Sequence, residues 1–157
     1  MQPEPTTHAI QREGLASSGK WFDYPVRAHP HHTDYAGVVW HGSYIAWMEA
    51  ARVECLRSLG VNFEDLVALG CDLPVVDLSI RYHRAMLMGA PAIVRTRILK
   101  MRGVRLNWDY RIESADGSVL YITALVSLVA IDRAKGKIMR QLPPAVREAL
   151  MRIAQNP

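Results

Sequence analysis

No apolar run in this chain approaches the roughly 18 residues needed to cross a bilayer, so no membrane span is expected. Residues 1–20 are rich in Pro, Thr, Gln, Ser and Gly and have no apolar h-region, which excludes a secretory signal. They read as a disordered extension ahead of a single domain over residues 21–157. Cysteine is scarce: Cys55 and Cys71 share no metal-ligand spacing and lie in apolar surroundings. They read as reduced, structural thiols, and a cytoplasmic address follows. Acidic residues nearly vanish from residues 81–112, where Asp109 alone faces Arg81, Arg84, Arg95, Arg97, Lys100, Arg102, Arg105 and Arg111. Such a zone suits a polyanion, either nucleic acid or a phosphorylated cofactor; a solvated strand face is the plainer alternative. The basic residues alternate with core residues, and no helix-turn-helix, zinc-finger or RNA-binding signature accompanies them, so nucleic acid is not the expected partner. There are no internal repeats.

What is present is the balance of an ordinary globular domain: half the residues apolar, 22% charged, and a net charge of +4. Residues 21–28 read as a first strand, followed by a loop rich in His and Pro over 29–42. Ser43 is placed to cap a helix running to about Leu59, which Gly60 stops. That helix is apolar around so much of its surface that it should be largely buried. Asn62 caps a short second helix that ends at Gly70.

The period then changes from helical to alternating. Val76, Leu78, Ile80 and Tyr82 alternate with polar residues, as a half-buried strand requires. A strand from Pro91 to about Met101 follows, then Val104, Leu106, Trp108, Tyr110 and Ile112 in unbroken alternation. Arg102-Gly103 and Ala115-Asp116-Gly117 read as hairpin turns. Residues 119–131 are apolar on both faces, so this strand should be central or covered by a partner. Pro143 and Pro144 begin a terminal helix, where a missing N–H is harmless. One apolar helix and one antiparallel sheet must cover each other, which is an α+β layer arrangement.

The stretch that carries chemistry is Thr33-Asp34-Tyr35-Ala36-Gly37-Val38-Val39-Trp40-His41-Gly42. It sets a carboxylate in a loop just ahead of a helix N-terminus, whose unpaired N–H groups polarise a carbonyl and stabilise a developing oxyanion. A carboxylate beside that carbonyl activates water or attacks directly. Taken alone, an Asp before a helix is more often a cap. His29, His31 and His32, with Asp34 and His41, have no known ligand spacing, so a metal is not expected. Trp40, Trp47 and Trp108 read as core, and His83 as a residue on a strand's polar face.

This run, followed by Tyr44, Trp47-Met48-Glu49 and Arg52, resembles the signature of 4-hydroxybenzoyl-CoA thioesterase-like hotdog proteins. It is most similar to the branch typified by the Tol–Pal-associated acyl-CoA thioesterases. Weaker similarity continues to about Arg140 through Tyr82-His83-Arg84 and Met101-Arg102-Gly103. The resemblance implies a hotdog fold, an antiparallel sheet wrapped around one long helix, with subunits joined edge to edge as a homodimer or homotetramer. It implies an acyl-CoA substrate and no separate cofactor, coenzyme A being part of the substrate. By position, Asp34 matches the catalytic carboxylate, and His41 matches the residue whose N–H faces the thioester oxygen and whose ring is implicated in catalysis. Tyr35 and Ala36 replace smaller residues and are expected to narrow the pocket. Substrate contacts are expected from Tyr35, Gly42, Tyr44 and Glu49, with Arg84, Arg102 and Arg105 on the coenzyme A phosphates. A structural hydrogen-bonding role for Glu49 is equally open. An acyl-CoA-binding regulator without catalysis and an enoyl-thioester hydratase are the alternatives. The hydratase arm usually shows an Asn-Pro step, and the only one here is Asn156-Pro157 at the chain end.

Overall fold

The computed structural model describes residues 19–99 and 101–155, so all but the last two residues of the expected N-terminal extension lie outside the described residues, as does Lys100. In chain order the elements are β1 (Phe22–Arg27), a 3-10 turn (Pro30–His32), α1 (His41–Ser58), α2 (Phe63–Ala68), β2 (Cys71–Asp72), β3 (Val75–Tyr82), β4 (Pro91–Ile98), β5 (Arg105–Ser114), β6 (Leu120–Val129), β7 (Ile131–Asp132), β8 (Lys137–Ile138) and α3 (Pro144–Gln155). Five strands form one antiparallel sheet in the order β1-β4-β5-β6-β3, and β2, β7 and β8 form a smaller one. The α+β arrangement read from the sequence is therefore present. No described helix is long and apolar enough to cross a membrane.

The alternation in β4, β5 and β6 sorts their side chains. Val94, Ile98, Leu106, Trp108, Tyr110, Ile112, Ile122, Val126 and Leu128 point inward and are buried in one cluster with Met48, Ala51, Cys55 and Leu56 of α1. Each large side chain so buried contributes about 1.5–3 kcal/mol of transfer free energy, and this joint core fixes the helix on the sheet. Cys55 and Cys71 are buried free thiols, and burial pushes Cys55 up to about 11.

Helix α1 holds strong helix formers and no proline. It ends in a paired stop: the Gly60 N–H donates to the Arg57 carbonyl and the Val61 N–H to the Leu56 carbonyl, both at 3.0 Å. This closure needs a left-handed residue, and Gly60 sits at φ +82°. Arg52 is buried on the helix and donates from Nη1 to the Tyr110 hydroxyl at 2.9 Å, tying α1 to β5.

Four expectations need correction. The helix starts at His41 behind Trp40, and Ser43 does not cap it; the Ser43 hydroxyl donates to the His32 carbonyl at 2.8 Å, binding the first turn to the preceding loop. The helix is not buried all round, since His41, Ile45, Ala46 and Glu49 remain exposed. Strand β6 lies between β5 and β3 and is buried from Ile122 to Val129 within its own chain, so it needs no partner. The open edge belongs to β3, where Val75, Val76, Leu78 and Tyr82 are 38–52% exposed. Its alternation promised a half-buried strand, but α1 does not reach far enough to cover it.

Candidate active site

The loop ahead of α1 is a closed hairpin. Thr33 and Val39 bridge each other, the Asp34 N–H donates to the Val38 carbonyl at 2.8 Å, and the Gly37 N–H returns to the Asp34 carbonyl at 3.1 Å. Its far side is pinned to the segment after β3: the Val39 N–H donates to the Met86 carbonyl and the Met88 N–H to the Gly37 carbonyl, both at 2.9 Å. Its near side is pinned to the 3-10 turn, where the His32 carbonyl accepts the Trp40 N–H at 3.2 Å.

Asp34 sits exposed on this hairpin. Its Oδ1 accepts the backbone N–H of Ala36 at 2.8 Å and of Val38 at 3.1 Å. One carboxylate oxygen thus holds the loop, and among the described residues no donor is recorded on the other. Across the hairpin α1 begins. The N–H groups of His41 and Gly42 belong to its first turn, and among the described residues neither has an acceptor, while the Ser43 N–H is spent on the Trp40 carbonyl at 3.0 Å. A carboxylate oxygen and two helix N-terminal donors are therefore presented by one constrained segment.

Trp40 was read as core and is not: it is 46% exposed. Its indole lies over Gly42, so that a Cβ at position 42 would fall within the ring. The ring also meets the His41 imidazole edge to face, with centroids 5.0 Å apart. Trp47 and Trp108 are core as expected. The histidines of the 3-10 turn stack on one another, and the His29 backbone N–H donates to His32 Nδ1 at 2.9 Å. Among the described residues no group of His, Cys, Asp and Glu is arranged to hold a metal ion.

A cleft of about 290 Å3 adjoins the hairpin, lined by Val38, Val39, Tyr44, Tyr82, His83, Arg84 and Ala85. The structure brings Tyr44 and Arg84 together there. Tyr44 is buried, and burial pushes its hydroxyl up to about 12, so it serves as a neutral wall. Tyr82 stands against Tyr44 with centroids 5.9 Å apart, and His83 Nε2 pairs with the Thr123 hydroxyl at 2.8 Å. Sequence reasoning gave Tyr82 and His83 no special role; the only signal was their place beside Arg84.

Other expected contacts are not assembled in one chain. Tyr35 projects fully into solvent at the hairpin tip and does not narrow this cleft. Glu49 is exposed on α1, two turns beyond His41, with no hydrogen bond recorded among the described residues. Arg84 lies near Tyr121, whose carbonyl accepts its N–H at 3.4 Å, whereas Arg105 is in register with Val129 at the other end of β6. Seven residues of strand separate Ile122 from Val129, a span of roughly 23 Å. Arg102 and Arg105 thus lie far from Arg84, and the basic zone is not one patch. Arg95, Arg97 and Arg111 are neutralised by Asp23 at 2.9 Å, Asp109 at 2.9 Å and Glu113 at 2.6 Å.

The chain matches the family described as the thioesterase superfamily over residues 36–121. It is 54% identical over 145 residues to a Synechocystis protein carrying the provisional name esterase sll0410, spanning 92% of this chain and 87% of that protein. It is 34% identical over 125 residues to the acyl-CoA thioester hydrolase YbgC of Escherichia coli, spanning 80% of this chain and 92% of that protein. Among solved structures, a 1,4-dihydroxy-2-naphthoyl-CoA thioesterase from Synechocystis superposes with a TM-score of 0.78 at 25% identity, covering 84% of this chain and 96% of that one. The chain belongs to the thioesterase superfamily and has its hotdog fold. It is a thioester hydrolase.

Proposed function

We propose that this protein hydrolyses acyl-CoA thioesters to free acid and coenzyme A, with Asp34 as the catalytic carboxylate. The observation that carries the reading is the pairing, on one hairpin, of a carboxylate with an uncommitted oxygen and the unpaired N–H groups of His41 and Gly42. The thioester carbonyl oxygen meets those N–H groups, which stabilise the charge that develops on it. The uncommitted oxygen of Asp34 takes a proton from the attacking water, or itself attacks to give a mixed anhydride that water then cleaves. The leaving thiolate departs as coenzyme A. No further cofactor takes part.

The acyl-CoA thioester hydrolase activity of the Escherichia coli relative and the acyl-CoA substrate of the Synechocystis structure support the class of substrate. The Tol–Pal-associated branch is the placement we favour, on the similarity to YbgC. The open, apolar β3 edge supports assembly into a homodimer through that edge, and a homotetramer by further pairing. A second subunit also reconciles the separated arginines, since Arg102 and Arg105 of one chain then approach the Asp34 hairpin of another. A cytoplasmic address agrees with the two buried free thiols. Release of thiol from a panel of aromatic and of short and medium aliphatic acyl-CoA substrates tests the reading. Turnover of at least one supports it and names the acyl group; no turnover of any rejects it.

A further inference from the structure

A second cleft, of about 400 Å3, opens at the other end of the molecule, between the β4–β5 turn and the segment leading into α3. Met101 and Gly103 line one side; Arg140, Gln141, Leu142 and Arg147 line the other, with Met151 beyond them. Arg140 and Arg147 are exposed, and neither forms an ion pair among the described residues. That sets them apart from Arg95, Arg97, Arg111 and Arg133, each of which has a carboxylate within 2.9 Å. Arg102 stands in the turn between Met101 and Gly103 and is likewise without an ion pair among the described residues. The cleft therefore combines uncompensated guanidinium groups with an apolar lining of Met101, Leu142 and Met151 and one amide, from Gln141.

That combination fits a particular chemistry. Guanidinium forks recognise phosphate oxygens in two-point contact. Thioether and aliphatic side chains accept a flat, weakly polar body, and an amide supplies one donor and one acceptor for orientation. A carboxylate ligand would leave one of the two forks unmatched; a flat base carrying more than one phosphate uses all of the lining. Both arginines also lie outside residues 36–121, the part matched by the superfamily. Whatever they hold is a property of this chain's own C-terminal segment.

We propose that this cleft binds the phosphorylated nucleotide end of the acyl-CoA substrate, with Arg140 and Arg147 as its phosphate ligands. The inference rests on the acyl-CoA reading above, and its test separates the two. Nucleotide contacts lie remote from the reacting bond and hold ground state and transition state alike, so they govern KM and leave kcat.

The experiment compares wild type with Arg140→Ala/Arg147→Ala on an acyl-CoA and on the matching acyl-pantetheine, which has no nucleotide. The double variant should raise KM for acyl-CoA by about tenfold or more, the scale of losing charge-assisted hydrogen bonds, with kcat within about twofold. KM for acyl-pantetheine should not move. An equal shift with both substrates, or none with either, overturns the inference. Calorimetric titration with adenosine 3′,5′-bisphosphate gives a readout that needs no hydrolysis. Wild type should bind it, the double variant should not, and Arg140→Lys/Arg147→Lys should retain part of the affinity. Absence of binding to wild type overturns the inference even if acyl-CoA is hydrolysed. Binding without hydrolysis of any acyl-CoA leaves the nucleotide site standing and overturns the catalytic reading instead.

Discussion

The indole of Trp40 rests on Gly42 at the first turn of α1, in a space that a side chain at position 42 would occupy. Gly42→Ala must therefore displace the ring, at a cost of about 1–3 kcal/mol for overpacking. In a Trp40→Ala background the same substitution should cost nothing, because nothing is left to displace. A double-mutant cycle by urea denaturation checks this, and equal penalties in both backgrounds would show that the ring does not depend on Gly42.

The Arg52–Tyr110 contact makes a second prediction. Tyr110→Phe removes the one acceptor recorded for a buried guanidinium whose Nε already lacks a partner. The loss should be about 1–3 kcal/mol, the cost of a buried polar group left unpaired. Arg52→Met removes the charge together with the need for a partner, so Tyr110→Phe should do little more in that background. Equilibrium unfolding of the three variants measures the coupling.

Much of this fold was legible in the sequence, and the limits are physical. The helical period of residues 41–58 and the strict alternation of β5 are local signals, fixed by which side chains can face one core. The partner of β3 was not legible, because an alternating strand declares a buried face without saying which neighbour covers it. Reading 119–131 as the strand in need of a partner placed the exposed edge one strand too far along. The apparent basic zone failed for a similar reason: Asp23, which neutralises Arg95, lies 72 residues away in the chain. At the site, Asp34 and His41 stood out because one short segment carries both. Trp40 over Gly42, and Tyr82 and His83 beside the hairpin, depend on packing that no local pattern encodes.

Acid should loosen the support of the hairpin. His32 is held below its ordinary value of 6.5, first by burial and then by the neighbouring charges of His31 and His29. Its Nδ1 also accepts the His29 N–H, which a doubly protonated ring cannot do. Below about pH 6.5 the unfolded chain takes up a proton at this position before the folded chain does, so stability falls as pH falls. It is fully present above that value. His32→Gln should flatten the fall in thermal midpoint between pH 7 and pH 5, a window set by the ordinary histidine value. An unchanged slope would assign the acid sensitivity elsewhere.

The β3 edge should control assembly. Val76 and Leu78 are 50% and 38% exposed on a strand whose outer hydrogen-bonding side is open. Light scattering at micromolar concentration should show a dimer or larger species for wild type and a monomer for Val76→Lys/Leu78→Lys. A wild-type monomer would contradict the assembly proposed.

The most direct test of the catalytic reading is the turnover of Asp34→Asn. Asparagine keeps an oxygen that accepts the Ala36 and Val38 N–H groups, so the hairpin and the thermal midpoint should survive. What is lost is the charge, the basicity and most of the nucleophilicity of the second oxygen. Alongside it, His41→Ala should cost little if only its backbone N–H acts, and nearly as much as Asp34→Asn if the imidazole takes part. For Asp34→Asn the account predicts a fall in kcat of at least about a hundredfold on the best acyl-CoA substrate. A folded Asp34→Asn protein that turns over at a near wild-type rate would contradict it.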